Sequence, residues 1–121
     1  MDISNELGTV EISEEVLCTI ATVATNEVEG VVGLSSSLGG NLKDLITKKY
    51  AGKGIVVETT DEGLVITANI IVKFRCNVQD VAVSVQDSIM TAIQDMTNYD
   101  VNAVNVNVIN VQIVDESKPK K

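Results

Sequence analysis

The stretch that decides the fold runs from Gly54 to Val114 and reads GIVVETTDEGLVITANIIVKFRCNVQDVAVSVQDSIMTAIQDMTNYDVNAVNVNVINVQIV. It opens with a predicted hairpin, in which Ile55 to Thr60 and Leu64 to Phe74 are strands and Asp61-Glu62-Gly63 supplies the turn. In the second strand one face is apolar throughout: Leu64, Ile66, Ala68, Ile70, Val72 and Phe74. Val65 and Ile71 interrupt the polar face of this strand. Two explanations stay open: these residues pack under the segment that begins at Lys43, or they pack against another subunit.

A helix is predicted from about Val78 to Thr97, because apolar residues recur every three or four positions. Its core stripe comprises Val78, Val81, Ala82, Val85, Ile89, Ala92, Ile93 and Met96. Val83 and Met90 lie off this stripe, one heptad apart, among glutamines and aspartates. We interpret these two residues as a narrow contact seam, although single exposed apolar residues are also common on surfaces without a partner.

The last predicted strand changes its apolar phase. Val104, Val106 and Val108 alternate with asparagines, and then Ile109, Val111 and Ile113 take over. Because side chains alternate with period two, one buried face can continue across such a change only if a β-bulge inserts an extra residue. Asn110, which tolerates left-handed backbone, is expected to help accommodate the bulge.

The residues before this stretch predict a strand, a helix and a second strand. Gly8 to Ile12 is the first strand, Ser13 caps the helix, Gly30 ends it, and Val31 to Leu34 follow as a strand. The apolar stripe of this helix is expected to comprise Val16, Leu17, Ile20, Val23, Ala24 and Val28. A small-residue loop from Ser35 to Gly40 and a short helix capped by Asn41 are expected next.

These patterns together predict an α+β fold. Two long helices pack on a largely antiparallel sheet in the order strand, helix, strand, hairpin, helix, strand. Residues 1–7 are expected to be a flexible N-terminus, residues 8–114 a single domain, and residues 115–121 a disordered basic tail. No apolar run approaches the length that crosses a bilayer, and no signal peptide is recognisable, so a cytoplasmic protein without direct membrane insertion is expected.

Charge and composition limit the classes of partner that this chain is expected to bind. The 121 residues carry a net charge of −8, and a basic segment contains Lys43, Lys48, Lys49 and Lys53. The alternatives for this segment are a solvated loop and a surface for a protein partner or a second copy. Nucleic acid is not expected as a partner, because aromatic residues make up only 2% of the chain and no stacking platform accompanies the lysines.

Catalysis is not expected either. The chain has no His, which removes the usual general base and the commonest zinc ligand, so neither a metal nor another cofactor is predicted. Cys18 is expected beside Thr22, off the core stripe, as an inert half-buried thiol.

Several short motifs, taken in order, resemble the bacterial alkaline shock protein family, also called the Gls general-stress family. They are Glu11-Ile12-Ser13, Val28-Glu29-Gly30-Val31, Gly54-Ile55-Val56-Val57, Asp61 to Leu64, Val85-Gln86, Met96-Thr97 and Val104-Asn105-Val106. The likeness covers about residues 8 to 114 and is strongest to the small cytosolic branch, which lacks membrane segments.

The resemblance implies a non-enzymatic regulatory or adaptor protein of the envelope stress response. In the small branch it implies control of fatty-acid synthesis, with acetyl-CoA carboxylase subunits as partners. Two alternatives stay open. One is a self-assembling scaffold, a homo-oligomer held at the membrane by an anchored family member. The other is a small carrier of an acyl ligand, which would need an apolar pocket.

Overall fold

A computed structural model describes residues 2–35, 49–51 and 54–113 of the chain, and the side chains of 6–35 and 54–113. The elements are β1 (Asp2–Asn5), β2 (Gly8–Glu11), α1 (Glu14–Asn26), β3 (Val31–Leu34), β4 (Lys49–Ala51), β5 (Ile55–Thr60), β6 (Gly63–Lys73), α2 (Val78–Thr97) and β7 (Val101–Gln112). The predicted α+β class and the order of its elements are confirmed, with β1 and β4 added. The predicted helix capped by Asn41 lies outside the described residues.

Strand β6 is the centre of a five-stranded sheet. It is long enough to pair antiparallel with both β3 and β5 along one edge, while β7 runs parallel along the other edge and β4 extends the sheet beyond β5. Its residues Leu64, Ile66, Ala68, Ile70 and Val72 are fully buried beneath the helices, as the alternation predicts. The predicted end at Phe74 is wrong, because β6 stops at Lys73 and the Phe74 ring is 51% exposed in the turn.

Helix α1 begins where predicted, since the Ser13 hydroxyl accepts a hydrogen bond from the Val16 N–H at 3.2 Å. It ends at Asn26, so Gly30 does not end it. Gly30 lies in the following turn with φ at 101°, and a Cβ placed there would come within 2.6 Å of a Val81 methyl. Only glycine therefore fits this approach of the turn to α2.

The buried face of α1 is turned away from the predicted one. Val16 and Val23 are exposed, whereas Cys18 and Thr25 are buried. The reason is that α1 contacts both the sheet and α2, where the Ser88 hydroxyl donates to the Ala24 carbonyl at 3.0 Å. Contacts with both the sheet and α2 bury a wider arc of α1 than the sheet alone would bury. The buried Thr25 hydroxyl is satisfied within the helix, since it donates to the Ala21 carbonyl at 2.7 Å.

Helix α2 connects β6 to β7 and covers them. Its fully buried residues are Val85, Ile89 and Ile93, with Val81 close to that state. The predicted apolar stripe extends too far at both ends of the helix, because Val78 and Met96 are exposed. Helix α2 ends at Thr97, and its C-cap Asn98 is a left-handed residue with φ at 62° whose N–H donates to the Gln94 carbonyl.

The predicted β-bulge in β7 is confirmed. Ile70 pairs with Val108 and Ile71 with Asn110, so Ile109 is the extra residue. Asn110 is not left-handed, which corrects that expectation. Its side-chain oxygen instead accepts a hydrogen bond from the Val111 N–H at 2.9 Å. A second shift, which the sequence does not indicate, leaves Asn102 unpaired near the start of β7.

The N-terminal residues form a separate hairpin. Strand β1 pairs antiparallel with β2, from Asp2 opposite Glu11 to Asn5 opposite Gly8, and the side chains of β2 are exposed. The sequence predicts a flexible N-terminus for residues 1–7, and the structure places a strand there. The division into an N-terminal arm, one domain and a tail at residues 115–121 stays a prediction.

Candidate functional site

The two residues of the predicted seam lie on one flank of α2. Val83 is 56% exposed and Met90 is half-buried, packed against the core. Gln86 lies between them on the same side of the helix, and its side-chain amide donates to the Val104 carbonyl of β7 at 2.9 Å. The flank formed by Val83, Gln86 and Met90, here called the α2 flank, therefore borders β7 and not α1.

The α2 flank is uncharged, although acids stand close to it. Asp80 and Asp87 follow on the next face of the helix, where both are exposed. An apolar residue that is more than half exposed, framed by amides and then by carboxylates, resembles the apolar centre and polar rim of a protein contact. Whether a partner binds there stays a prediction.

The basic segment is described in part only. Lys43, Lys48 and Lys53 lie outside the described residues. Lys49 begins β4, where its backbone pairs with that of Glu58 in β5. The role of these lysines in binding therefore also stays a prediction.

A groove opens at the end of the sheet where β6 leads into α2. Its volume is about 430 Å³, and it is lined by Glu29, Gly30, Lys73, Phe74, Arg75, Cys76, Val81 and Ile113. Its walls mix apolar and charged groups, and the Arg75 guanidinium lies 5.3 Å from the centre of the Phe74 ring. The sequence does not indicate this groove, because its alternation predicts that Phe74 lies on the buried face of the strand.

The described residues contain no group of three or more His, Cys, Asp or Glu side chains arranged to hold a metal ion. Neither Cys18 nor Cys76 forms a disulfide. The placement of Cys18 off the core stripe is wrong, since it is only 7% exposed within the core cluster, whereas Cys76 is half-buried in the groove wall. Neither of the two helices has both the length and the apolarity needed to cross a membrane, as far as the described residues extend.

Comparison with known proteins identifies relatives along nearly the whole chain. Residues 2–113 match the model of the alkaline shock protein 23 family, which is described as having a cell envelope-related function. An uncharacterised Bacillus subtilis protein, YqhY, is 33% identical over 106 residues, which are 88% of this chain and 78% of that protein. A Streptococcus pyogenes serotype M3 protein named as a stress response regulator gls24 homolog is 24% identical over 94% of this chain and 64% of its own length.

Among solved structures, the fold is similar to the C-terminal domain of MamM. A variant of that domain in a zinc form aligns with a TM-score of 0.51 over 89% of this chain and 97% of that domain. The two sequences are 15% identical, so the likeness concerns the fold alone.

Proposed function

Because this chain belongs to the alkaline shock protein 23 family, a family with a cell envelope-related function, we propose that it is a non-enzymatic regulatory or adaptor protein of the envelope stress response. The proposal is that it acts through protein contacts made by the α2 flank. The observation that carries it is the exposure of Val83 on a flank whose other members are anchored, Met90 in the core and Gln86 on β7. A fixed backbone that presents an apolar side chain loses little conformational entropy on binding.

The partner class that we propose comes from the resemblance to the small family branch, and it is the acetyl-CoA carboxylase. A regulator would bind a subunit of that enzyme at a defined ratio. A stress scaffold would instead bind copies of itself or a membrane-anchored family member. The name of the streptococcal relative, a stress response regulator, supports a regulatory role and does not specify the partner.

The groove supports a second candidate, a carrier of an acyl ligand. Its volume lies in the range of small-molecule sites, and the Phe74 ring, Val81 and Ile113 supply apolar wall. Lys73 and Arg75 line the same groove and would suit a carboxylate head. The groove is open to solvent and Glu29 lies in its wall, which makes the carrier the weaker candidate.

The test is affinity capture of the tagged protein from its own cells after mild crosslinking, with quantitative mass spectrometry. Val83→Asp places a carboxylate at the most exposed point of the α2 flank. Its matched control is Val23→Asp, because Val23 is 52% exposed on α1 and Val83 is 56% exposed. Met90→Asp is a second variant of the flank, used only if its circular dichroism matches that of the wild type.

Recovery of carboxylase subunits by the wild type and by Val23→Asp, with loss in Val83→Asp, is the expected result. Equal recovery by all variants would refute a role for the α2 flank. Recovery of only the protein itself or a membrane-anchored relative would replace the regulator with the scaffold. Co-purification of an acyl compound that Phe74→Asp abolishes would favour the carrier.

A further inference from the structure

The outer edge of β7 carries backbone groups that no described residue pairs. The even-numbered residues along β6 point their N–H groups to β7. The Leu64 N–H donates to the Asp100 carbonyl at 3.0 Å, and the N–H of Phe74, just after β6, donates to the Gln112 carbonyl at 2.8 Å. Odd-numbered Asn69 instead bonds to the opposite side, since its N–H donates to the Gly54 carbonyl at 2.8 Å.

In a parallel ladder each such residue bonds to the two residues that flank its partner. Ala68 is opposite Val106 and Ile70 is opposite Val108, so the residues of β7 that bond to β6 there are Asn105, Asn107 and Ile109. The N–H and C=O groups of Val106 and Val108 consequently point away from the sheet.

The hydrogen bond at Val104 supports this assignment of inward and outward residues along β7. The Val104 carbonyl accepts a hydrogen bond from the Gln86 side chain at 2.9 Å, which shows that it too points outward. The Gln86 side chain of helix α2 thus pairs the outward carbonyl of Val104, and the bulge at Ile109 interrupts the edge five residues later. Between them, Val106 and Val108 are a regular edge whose outer groups have no partner among the described residues.

The edge also lacks the usual protection against pairing. Natural edge strands are commonly guarded by charged residues, above all Lys, or by Pro. Residues 101–113 contain no Asp, Glu, Lys, Arg or Pro, in a chain that is 21% charged with a net charge of −8. Two copies of so acidic a protein repel each other over most of their surface, and an uncharged edge is where they can approach most closely.

We infer that two copies of this chain pair antiparallel through the outer edges of their β7 strands, about a two-fold axis near Asn107. In this arrangement Val106 of each copy faces Val108 of the other, and both residues exchange N–H···O=C bonds across the axis. The two sheets become one continuous sheet. The pairing uses the edge of β7 and not the α2 flank, so it stands whether or not the proposed function is correct.

The decisive variant is Asn105→Lys with Asn107→Lys. Both side chains are exposed on the sheet face opposite the helices, and Lys at 107 keeps a donor for the Asn69 side-chain oxygen, which Asn107 contacts at 2.9 Å. The two lysines at 107 face each other across the axis, where like charges destabilise a strand pair. The variant changes net charge from −8 to −6, so general repulsion between copies falls while repulsion at the edge rises.

The matched control is Ser84→Lys with Thr91→Lys, which makes the same change of charge on the outer surface of α2, where both residues are exposed. Analytical ultracentrifugation of the full chain over a concentration series measures the dimer dissociation constant. We expect the edge variant to weaken the dimer about tenfold or more. The control, with lower overall repulsion, is expected to keep it or tighten it.

Residue-resolved hydrogen exchange adds a readout that does not depend on any substitution. The amides of Val106 and Val108 should gain protection as the wild type is concentrated, whereas that of Asn107, already bonded to β6, should not change. A wild type that stays monomeric at all concentrations would overturn the inference and leave the edge to an extended segment of another protein. A dimer that tolerates the lysine pair at the edge would overturn it as well.

Discussion

Strands β6 and β7 lie side by side, run in the same direction and are both rich in Val and Ile, yet their environments differ. Every helix-facing residue of β6 from Leu64 to Val72 is fully buried. Along β7 the same face begins buried at Val101 and Val104, is half-buried at Val106 and Val108, and is exposed at Val111. The difference shows that burial in this sheet depends on the neighbours of a strand more than on its residues.

The two strands differ in the number of strands that pair with them. Strand β6 has β3 and β5 on one edge and β7 on the other, whereas β7 pairs with β6 alone among the described strands. Helix α2 covers the start of β7 through Gln86, but the strand continues to Gln112. Beyond Val104, whose outer carbonyl accepts the Gln86 hydrogen bond, the outer edge of β7 therefore has no strand partner among the described residues.

The largest expected effect comes from deleting apolar volume in each strand. Ile66→Ala leaves a cavity beneath both helices and should lower the free energy of unfolding by about 2–5 kcal/mol. Val106→Ala removes less volume from a half-buried site and should cost about 1 kcal/mol. Urea unfolding at low protein concentration measures both, and equal costs would contradict the contrast between the strands.

Gly63 lies where β6 and β7 begin side by side, and a substitution there should have an intermediate effect on the free energy of unfolding. Gly63 has φ at 127°, and a Cβ would lie 2.9 Å from the Asp100 carbonyl that receives the Leu64 N–H. Gly63→Ala should therefore cost about 1–3 kcal/mol.

The matched control is Gly33→Ala, because no atom of the described residues, apart from its two chain neighbours, lies within 4 Å of a Cβ placed at Gly33. It should change stability by less than about 0.5 kcal/mol. A scan of thermal unfolding compares the two variants. A Gly63→Ala protein as stable as the control would show that the alignment of β6 with β7 does not depend on this close approach.

The smallest expected effect concerns the one side-chain hydrogen bond recorded between the two strands in the described residues. Asn69 of β6 is 3% exposed, and its side-chain oxygen accepts a hydrogen bond from the Asn107 amide of β7. Asn107→Asp replaces that donor with an acceptor, which should cost about 1 kcal/mol. The matched control is Asn105→Asp, because Asn105 lies two residues earlier on the same face and is exposed. It should lower the free energy of unfolding by less than half as much, and urea unfolding in dilute solution measures the two variants.

Most of the fold could be predicted from periodicity, because period two and period 3.6 are local properties of the chain. The hairpin, both helices and the Ile109 bulge follow from such patterns. The errors occur where a residue's environment is set by distant parts of the chain. Val23 was expected in the core and Cys18 outside it, since the sequence does not show that α1 also packs against α2.

The candidate site was less predictable than the fold. The off-stripe position of Val83 is visible in the sequence, but its proximity to β7 appears only when Gln86 contacts Val104. The groove depends on Phe74 leaving the sheet at the turn after Lys73, where Arg75 adopts φ of 85°. A positive φ at arginine has no signature in the sequence, because the surrounding structure imposes it.

The sequence by itself therefore determined both helices, the strands other than β1 and β4, the bulge at Ile109 and the lack of charge in β7. Only the tertiary structure decided that β7 is the edge strand of the described sheet, parallel to β6, with the outer groups of Val106 and Val108 pointing away from the sheet. The physical reason is that strand pairing is a contact between residues distant along the chain. Alternation records which side chains share a face, and it carries no information on which strand lies next to another.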